Sequence, residues 1–173
     1  MLTIRPALPA DLTDIMAIEN ASFPTPWKRE AMEDELRGRK GTIYIVGELD
    51  GKLVGYAGMW CYAGEAHIMN IALAPEQRRR GFGEALLLDL LRRAVDEKAD
   101  FAYLEVRPSN LAAIALYRKV GFRVVGFRPS YYQDTDEDAT LMTFDRLWRR
   151  GPGALAEHWQ GWERRHGYRP VVE

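Results

Sequence analysis

The chain has a single cysteine, Cys61, among its 173 residues. One thiol makes no internal disulfide and no cysteine-based zinc site. The three histidines are scattered, no His/Cys/carboxylate cluster has ligand spacing, and no metal is expected. A charge of one sign is also missing: 24 Lys and Arg stand against 25 Asp and Glu. Such a balance gives no whole-molecule field for a generic nucleic-acid binder. No apolar run approaches the ~20 residues that a membrane helix needs. The opening "MLTIRPALPADLTDI" places Pro and Asp where the apolar stretch of a signal peptide would lie. These absences predict a cytoplasmic protein with no membrane partner and no direct nucleic-acid contact. The remaining composition, 47% hydrophobic, is ordinary for a globular domain long enough to bury its own core.

The patterns along the chain alternate between strand and helix. "LTIRPA" reads as a strand ended by Pro6. "DLTDIMAIENAS" places Leu12, Ile15 and Met16 on one helical face, with Asp11 as a capping candidate. "FPTPW" interrupts, and a polar helix, "KREAMEDELRGRK", follows and closes at its glycines. Asp50-Gly51 joins two strands as a hairpin, and "EAHIMNIALAP" is a further strand. Leu86, Leu87, Leu90, Leu91, Ala94 and Val95 then repeat at helical spacing. "FAYLEV" is a strand, and "SNLAAIALYRKVGF" a helix capped by Ser109 or Asn110 and stopped by Gly121. "FRVVGF" and "DATLMTFDR" are two more strands, joined by the loop "RPSYYQDTDE".

The resulting order, β-α-α-β-β-β-α-β-α-β-β, predicts an α/β fold with a mixed central sheet. Its βαβ unit from His67 to Val106 makes the fourth and fifth strands parallel. Residues 1–146 form this domain. Residues 147–173 form a tail in which "RRGPG" reads as a breaker before a short helix bearing Leu155, Trp159, Trp162 and His166 on one stripe. That stripe is expected to dock on the domain's own sheet edge or on a second copy. The alternative, suggested by Arg149, Arg150, Arg164, Arg165 and Arg169, is a contact with ribosome or RNA.

The segment "QRRRGFGEALL" carries the chemistry, and three readings compete for it. A dinucleotide fingerprint would use Gly81 and Gly83, with Glu105 about 20 residues on, but Leu86 occupies its third glycine position. A nucleic-acid patch on Arg78, Arg79 and Arg80 lacks interleaved aromatics or a recognition helix. A pyrophosphate cradle uses everything present. Glycines let backbone N–H groups turn inward, the helix start adds positive charge, and arginines reach the remaining oxygens.

"QRRRGFG" after "MNIALAP" resembles the acetyl-CoA signature R/Q-x-x-G-x-G/A of GNAT N-acetyltransferases, carried by Arg78, Gly81 and Gly83. "LEVRPSNLAAIALYRKVGF" and "YYQDTDEDATLM" narrow the resemblance to RimI-type ribosomal-protein-alanine N-acetyltransferases and related amino-terminal acetyltransferases. The resemblance covers residues 1 to about 146. It implies acetyl-CoA as co-substrate and a splay of the fourth and fifth strands like a V. Ile71, Ala72 and Leu73 would then pair with the pantetheine arm, and Arg78, Arg79, Arg80, Gly81, Phe82 and Gly83 would hold the pyrophosphate. It further implies a protein N-terminus as acceptor, that of a small-subunit ribosomal protein beginning with alanine.

Within that pattern Glu105 is the candidate base and Tyr117 the candidate acid toward the CoA sulfur. Asn110 would bond the cofactor arm, and a backbone N–H near Leu73 would meet the oxyanion. Glu65, Tyr131 and Tyr132 are candidates for acceptor binding, with "SFPTPW" and "SYYQDTDE" shaping the groove. Taken alone, these residues have plainer readings: Glu105 as a solvated strand end, Tyr117 as core, Asn110 as a helix cap, Glu65 as an edge charge. His67 reads as a core-edge residue and Cys61 as a small buried one.

Overall fold

The computed structural model describes residues 1–173. In chain order the elements are β1 (Leu2–Pro6), α1 (Leu12–Ser22), α2 (Arg29–Leu36), β2 (Thr42–Leu49), β3 (Lys52–Tyr62), β4 (Glu65–Leu73) and α3 (Phe82–Asp96). There follow β5 (Phe101–Val106), α4 (Leu111–Val120), β6 (Arg123–Tyr132), β7 (Glu137–Asp145), α5 (Leu147–His166) and β8 (Val171–Val172). The expected α/β order is reproduced through β7. All strands join one mixed sheet in the order β6-β7-β5-β4-β3-β2-β1-β8.

Local chemistry explains the joints. Asp50 and Gly51 both take positive φ, 51° and 80°, as a two-residue hairpin turn with right-handed strand twist requires, and Leu49 then faces Lys52. Leu86, Leu87, Leu88, Leu90 and Leu91 of α3 are all buried, because the helix is covered by the sheet and by α5. α3, α4 and α5 share that face and its core. On the other face α1 and α2 bury Leu12, Ile15, Met16, Ile18, Met32 and Leu36 over Tyr44, Val46 and Tyr56.

The feature that makes a site is the pairing of β4 with β5. It runs only from Glu65↔Phe101 to His67↔Tyr103. Beyond that both strands continue, to Leu73 and to Val106, without pairing each other. β4 also bulges against β3: Gly58 faces Asn70 while Met59 faces Ile68. The inserted Met69 re-aims the strand, so Ala66 and Ile68 join the α3 core while Ala72 joins the α1 core.

Three expectations are corrected. Asp11 does not cap α1; its buried carboxylate accepts from the Leu8 N–H and pairs with both Arg5 terminal nitrogens, 2.8 and 2.9 Å. Tyr131 and Tyr132 belong to the end of β6 rather than to a loop, because β6 regains register with β7 at Tyr132↔Glu137 beyond a bulge. "RRGPG" does not break the tail helix: α5 runs through it with Pro152 inside. Pro152 forfeits one helical hydrogen bond near the start of the helix. Gly151 meanwhile brings α5 against α3, where an added Cβ would lie 3.0 Å from Val95 Cγ2. Burying Leu147, Leu155, Trp159 and Trp162, each worth about 1.5–3 kcal/mol, outweighs the roughly 3 kcal/mol that proline costs. β8, which pairs parallel to β1 through Thr3↔Val171, is too short to show in the sequence.

Candidate active site at the splayed strands

The open end of the V begins with a free strand edge. The Ala74 N–H donates to the Val54 carbonyl at 3.0 Å, toward β3. Backbone groups alternate sides along an antiparallel strand, so those of Leu73 and Ile71 point into the gap. The Leu73 carbonyl is taken there by Arg78 Nε at 3.2 Å and Ser22 Oγ at 3.4 Å, which leaves its N–H as the donor facing the gap. Ile71, Ala72 and Leu73 thus lie on an edge that an extended ligand can complete.

The chain then turns through Arg79 (φ 62°) and Gly81 (φ 82°) into α3, whose first turn has no side-chain cap. Uncapped N–H groups and the helix dipole favour negative charge at such a position. Phe82 is buried in the core, so only its backbone can face a ligand. The three arginines separate. Arg78 clamps the end of α1, reaching Ser22 Oγ at 3.0 Å and the Ala21 carbonyl at 3.4 Å. Arg80 bonds Gln77 Oε1 at 2.5 Å and covers the Phe82 ring at 4.9 Å. Arg79 is exposed on the turn. Gly83 has only ordinary contacts at the position of a Cβ, to Leu73 and Leu116.

Across the gap stands Glu105, its side chain 5% exposed. Its Oε2 lies 2.6 Å from His67 Nε2 on β4, and its Oε1 lies 3.1 Å from Arg128 Nη1 on β6. Burial pushes this carboxyl up, but the hydrogen bond and charge of His67 and the charge of Arg128 outweigh burial and hold it below the ordinary value. Oε1 is buried without a hydrogen bond, an acceptor left for a ligand or water. His67 is further fixed by stacking on Tyr103, centroids 4.3 Å apart. Glu65 stands exposed at the closed end of the V, paired with Phe101, and its charge and that of Glu105 both bear on Tyr103.

Tyr117 points from α4 into the α3-side core. Burial, and then the neighbouring Tyr132, push its phenol well above the ordinary value, so it keeps its proton. Asn110 caps α4, its Oδ1 accepting from the Ala113 N–H at 3.2 Å, and Gly121 at φ 117° ends that helix. The structure therefore places Glu105 in one cluster with His67 and Arg128, and sets Tyr117 on a separate element, beyond Tyr132.

The two groove loops meet. Thr25 Oγ1 donates to Asp134 Oδ2 at 2.7 Å, and Arg107 Nη2 holds both Asp134 oxygens at 2.7 and 2.9 Å. The Arg107 guanidinium also covers the Tyr132 ring at 3.9 Å, and burial raises that phenol to about 12. Tyr131 meets Tyr132 edge-on at 5.0 Å. Behind the first loop, buried Glu19 accepts from the Trp27 N–H at 2.9 Å and from the Tyr56 hydroxyl. His67, Arg128, Arg107 and Glu19 are the polar residues that sequence reading missed. The signal for His67 was its strand alternation: Tyr103 lies opposite it, and Glu105 is the next residue on that face.

A free strand edge leading to an uncapped helix start suits a long, thin ligand that carries a pyrophosphate. That defines a class, the transferases that draw an acyl group from a coenzyme A thioester. The chain belongs to the acetyltransferase (GNAT) family, which it matches over residues 12–122, and it is an N-acetyltransferase. It is 36% identical over 146 residues to the ribosomal protein bS18-alanine N-acetyltransferase of Escherichia coli K12, covering 82% of this chain and 96% of that one. It is 39% identical over 124 residues to N-alpha-acetyltransferase RimI of Mycobacterium tuberculosis, covering 69% and 76%. The crystal structure of the ribosomal-protein-S18-alanine N-acetyltransferase from Escherichia coli matches with a TM-score of 0.78 at 32% identity, over 84% of this chain and 94% of that one. No helix is long and apolar enough to cross a membrane, and no group of three His, Cys, Asp or Glu is placed to hold a metal.

Proposed function

We propose that the chain transfers the acetyl group of acetyl-CoA to the N-terminal α-amine of a protein in the cytoplasm, its target a small-subunit ribosomal protein beginning with alanine. The pantetheine arm lies along Ile71–Leu73 and the pyrophosphate at the Arg79–Gly83 turn. The thioester then sits in the gap, where the Leu73 N–H meets the oxyanion. An α-amine has a pKa of about 8, so roughly a tenth is neutral at pH 7 and the site needs only a modest proton acceptor. The Glu105–His67 pair supplies it, receiving the ammonium proton directly or through water. The amine nitrogen attacks the thioester carbon and the C–S bond breaks as the intermediate collapses. Tyr117, held protonated by burial, gives its proton to the leaving sulfur, and the second proton of the attacking nitrogen passes through water to restore the phenol.

The observation that carries the choice of acceptor is the bridge from Thr25 through Asp134 to Arg107. It ties the two loops over the acceptor side, which suits a chain end entering end-on better than a lysine on a continuous backbone. Two matched peptides test this by intact mass. One has a free N-terminal alanine and no lysine; the other has a blocked N-terminus and one internal lysine. Acetylation of the first alone is expected, and acetylation of the second alone overturns the reading.

A further inference from the structure

The tail helix ends against the cofactor turn. Trp162, fully buried, donates its indole N–H to the Gly81 carbonyl at 3.0 Å. His166 stacks on Trp162 with centroids 3.9 Å apart and bonds the Trp162 carbonyl through Nδ1 at 2.7 Å. Its Nε2 occupies the space a side chain at Gly81 would need, 2.4 Å from an ideal Cβ. Gly81 is therefore required twice, for its positive φ and for the approach of α5. One residue into the helix from Gly83 lies Glu84, 5% exposed, at the α3 N-terminus where a pyrophosphate would bind. Its carboxylate is held by Arg165 of α5 and Lys119 of α4, each at 2.7 Å. The matched family segment ends at residue 122, so α5 lies outside it.

We infer that α5 is part of the acyl-CoA site: Trp162 and His166 fix the shape of the pyrophosphate turn, and Arg165 cancels a buried negative charge that would otherwise repel the phosphates. This rests on the reading of the Arg79–Gly83 turn as the pyrophosphate site. Trp162, His166 and Arg165 are positioning residues that act through Gly81 and Glu84. A helix N-terminus favours anions through partial charges, and a full carboxylate beside it, left with Lys119 alone, works against them. The tail thus tunes cofactor affinity rather than recruiting a partner.

The test is calorimetric titration of CoA into the full chain, beside turnover with saturating peptide and thermal melting. Arg165→Gln is expected to weaken CoA about three- to tenfold, with the peptide KM unchanged. Glu84→Gln in that background should restore affinity to within about twofold, because the charge to be cancelled is gone. Trp162→Phe keeps an aromatic ring but removes the donor to Gly81. It should raise the Kd of CoA and the KM of acetyl-CoA together while kcat holds. A purely structural tail would show lower melting temperatures with unaltered CoA affinity, and no rescue by Glu84→Gln; either result overturns the inference. A wild-type chain that binds no CoA overturns the cofactor reading along with it. CoA binding without acetylation of any peptide would overturn the acceptor reading and leave this inference supported if the rescue is seen.

Discussion

On the acceptor side of the V the parts meet through polar side chains: Thr25, Asp134 and Arg107 link two loops near the surface, and Arg128 reaches the buried Glu105 from β6. On the donor side they meet through backbone and buried aromatics: Leu73 on a strand edge, Phe82 in the core, and Trp162 on the Gly81 carbonyl. Surface ion pairs are each worth about 0–1 kcal/mol, whereas a buried tryptophan is worth several times that. The difference follows the ligands. The acyl donor is the same molecule at every turnover, so its site can be rigid. The acceptor is the end of a protein chain that must enter and leave, so its loops are joined by contacts that open cheaply.

The largest effect is expected at Glu105, in the gap between the two strands. Glu105→Gln removes the proposed proton acceptor and is expected to lower kcat by about 10²–10⁴-fold, with CoA affinity unchanged. Turnover on the alanine peptide and CoA titration would show it, and a near-native rate would remove Glu105 from the chemistry. The same variant reports on pH. The folded carboxyl lies below its ordinary value because His67 and Arg128 outweigh burial. Its contribution to stability is then complete above the unfolded value of about 4.3 and is lost as pH falls through the lower folded one. Urea midpoints of wild type and Glu105→Gln should therefore differ at pH 7 and converge in acid below about pH 4.

The second effect in size belongs to the donor side. Trp159 is 4% exposed and packs edge-on to Trp162 at 6.2 Å. Trp159→Ala is expected to cost about 3–5 kcal/mol in denaturant unfolding. If α5 belongs to the same cooperative core as the sheet, the transition stays single. A tail that frays separately would show two transitions, and the contrast between a rigid donor side and a loose acceptor side would fail.

What the sequence made legible divides along similar lines. Helix and strand periodicity, the Asp50-Gly51 turn and the Asn110 and Gly121 caps are local signals, and the structure repeats them. The V was legible only through resemblance, because nothing in "EAHIMNIALAP" says where its pairing with "FAYLEV" ends. Contacts of high sequence separation left little local trace. Arg165 meets Glu84 across 81 residues with no shared pattern, and His67 meets Glu105 across 38 with only strand alternation to hint at it. The tail misled for another reason: Gly151 and Pro152 are helix breakers by propensity, and burial of the tryptophan stripe overrides them. Arg78 has a further contact that the motif does not announce. Its Nε and Nη2 bond Leu73, Ala21 and Ser22, so it also secures the junction of α1 and β4.

The acceptor side is sharpened by a smaller effect. Asp134→Ala breaks the link between the loops without touching the Glu105 cluster. The KM for the alanine peptide is expected to rise about three- to tenfold, with kcat and CoA affinity held. Acetylation of the blocked lysine peptide should become measurable as the groove opens. An unchanged KM would mean that the bridge does not shape the groove, and the argument for a chain-end acceptor would lose its support.

The smallest effect comes from Asn110, which stands between the two sides at the start of α4. Its Oδ1 satisfies the Ala113 N–H, and removing a cap of this kind costs about 0.5–2 kcal/mol. Asn110→Ala should therefore lower stability by about 1 kcal/mol, while Asn110→Ser, which keeps a capping oxygen, should lose little. If Asn110 also bonds the cofactor arm, the two variants separate on a different axis. Serine preserves the cap but shortens the reach, so the KM for acetyl-CoA would rise in both variants while stability falls only in alanine. If stability and KM move together, Asn110 is a cap alone, and the cofactor depends on backbone and buried residues as the rest of its side does.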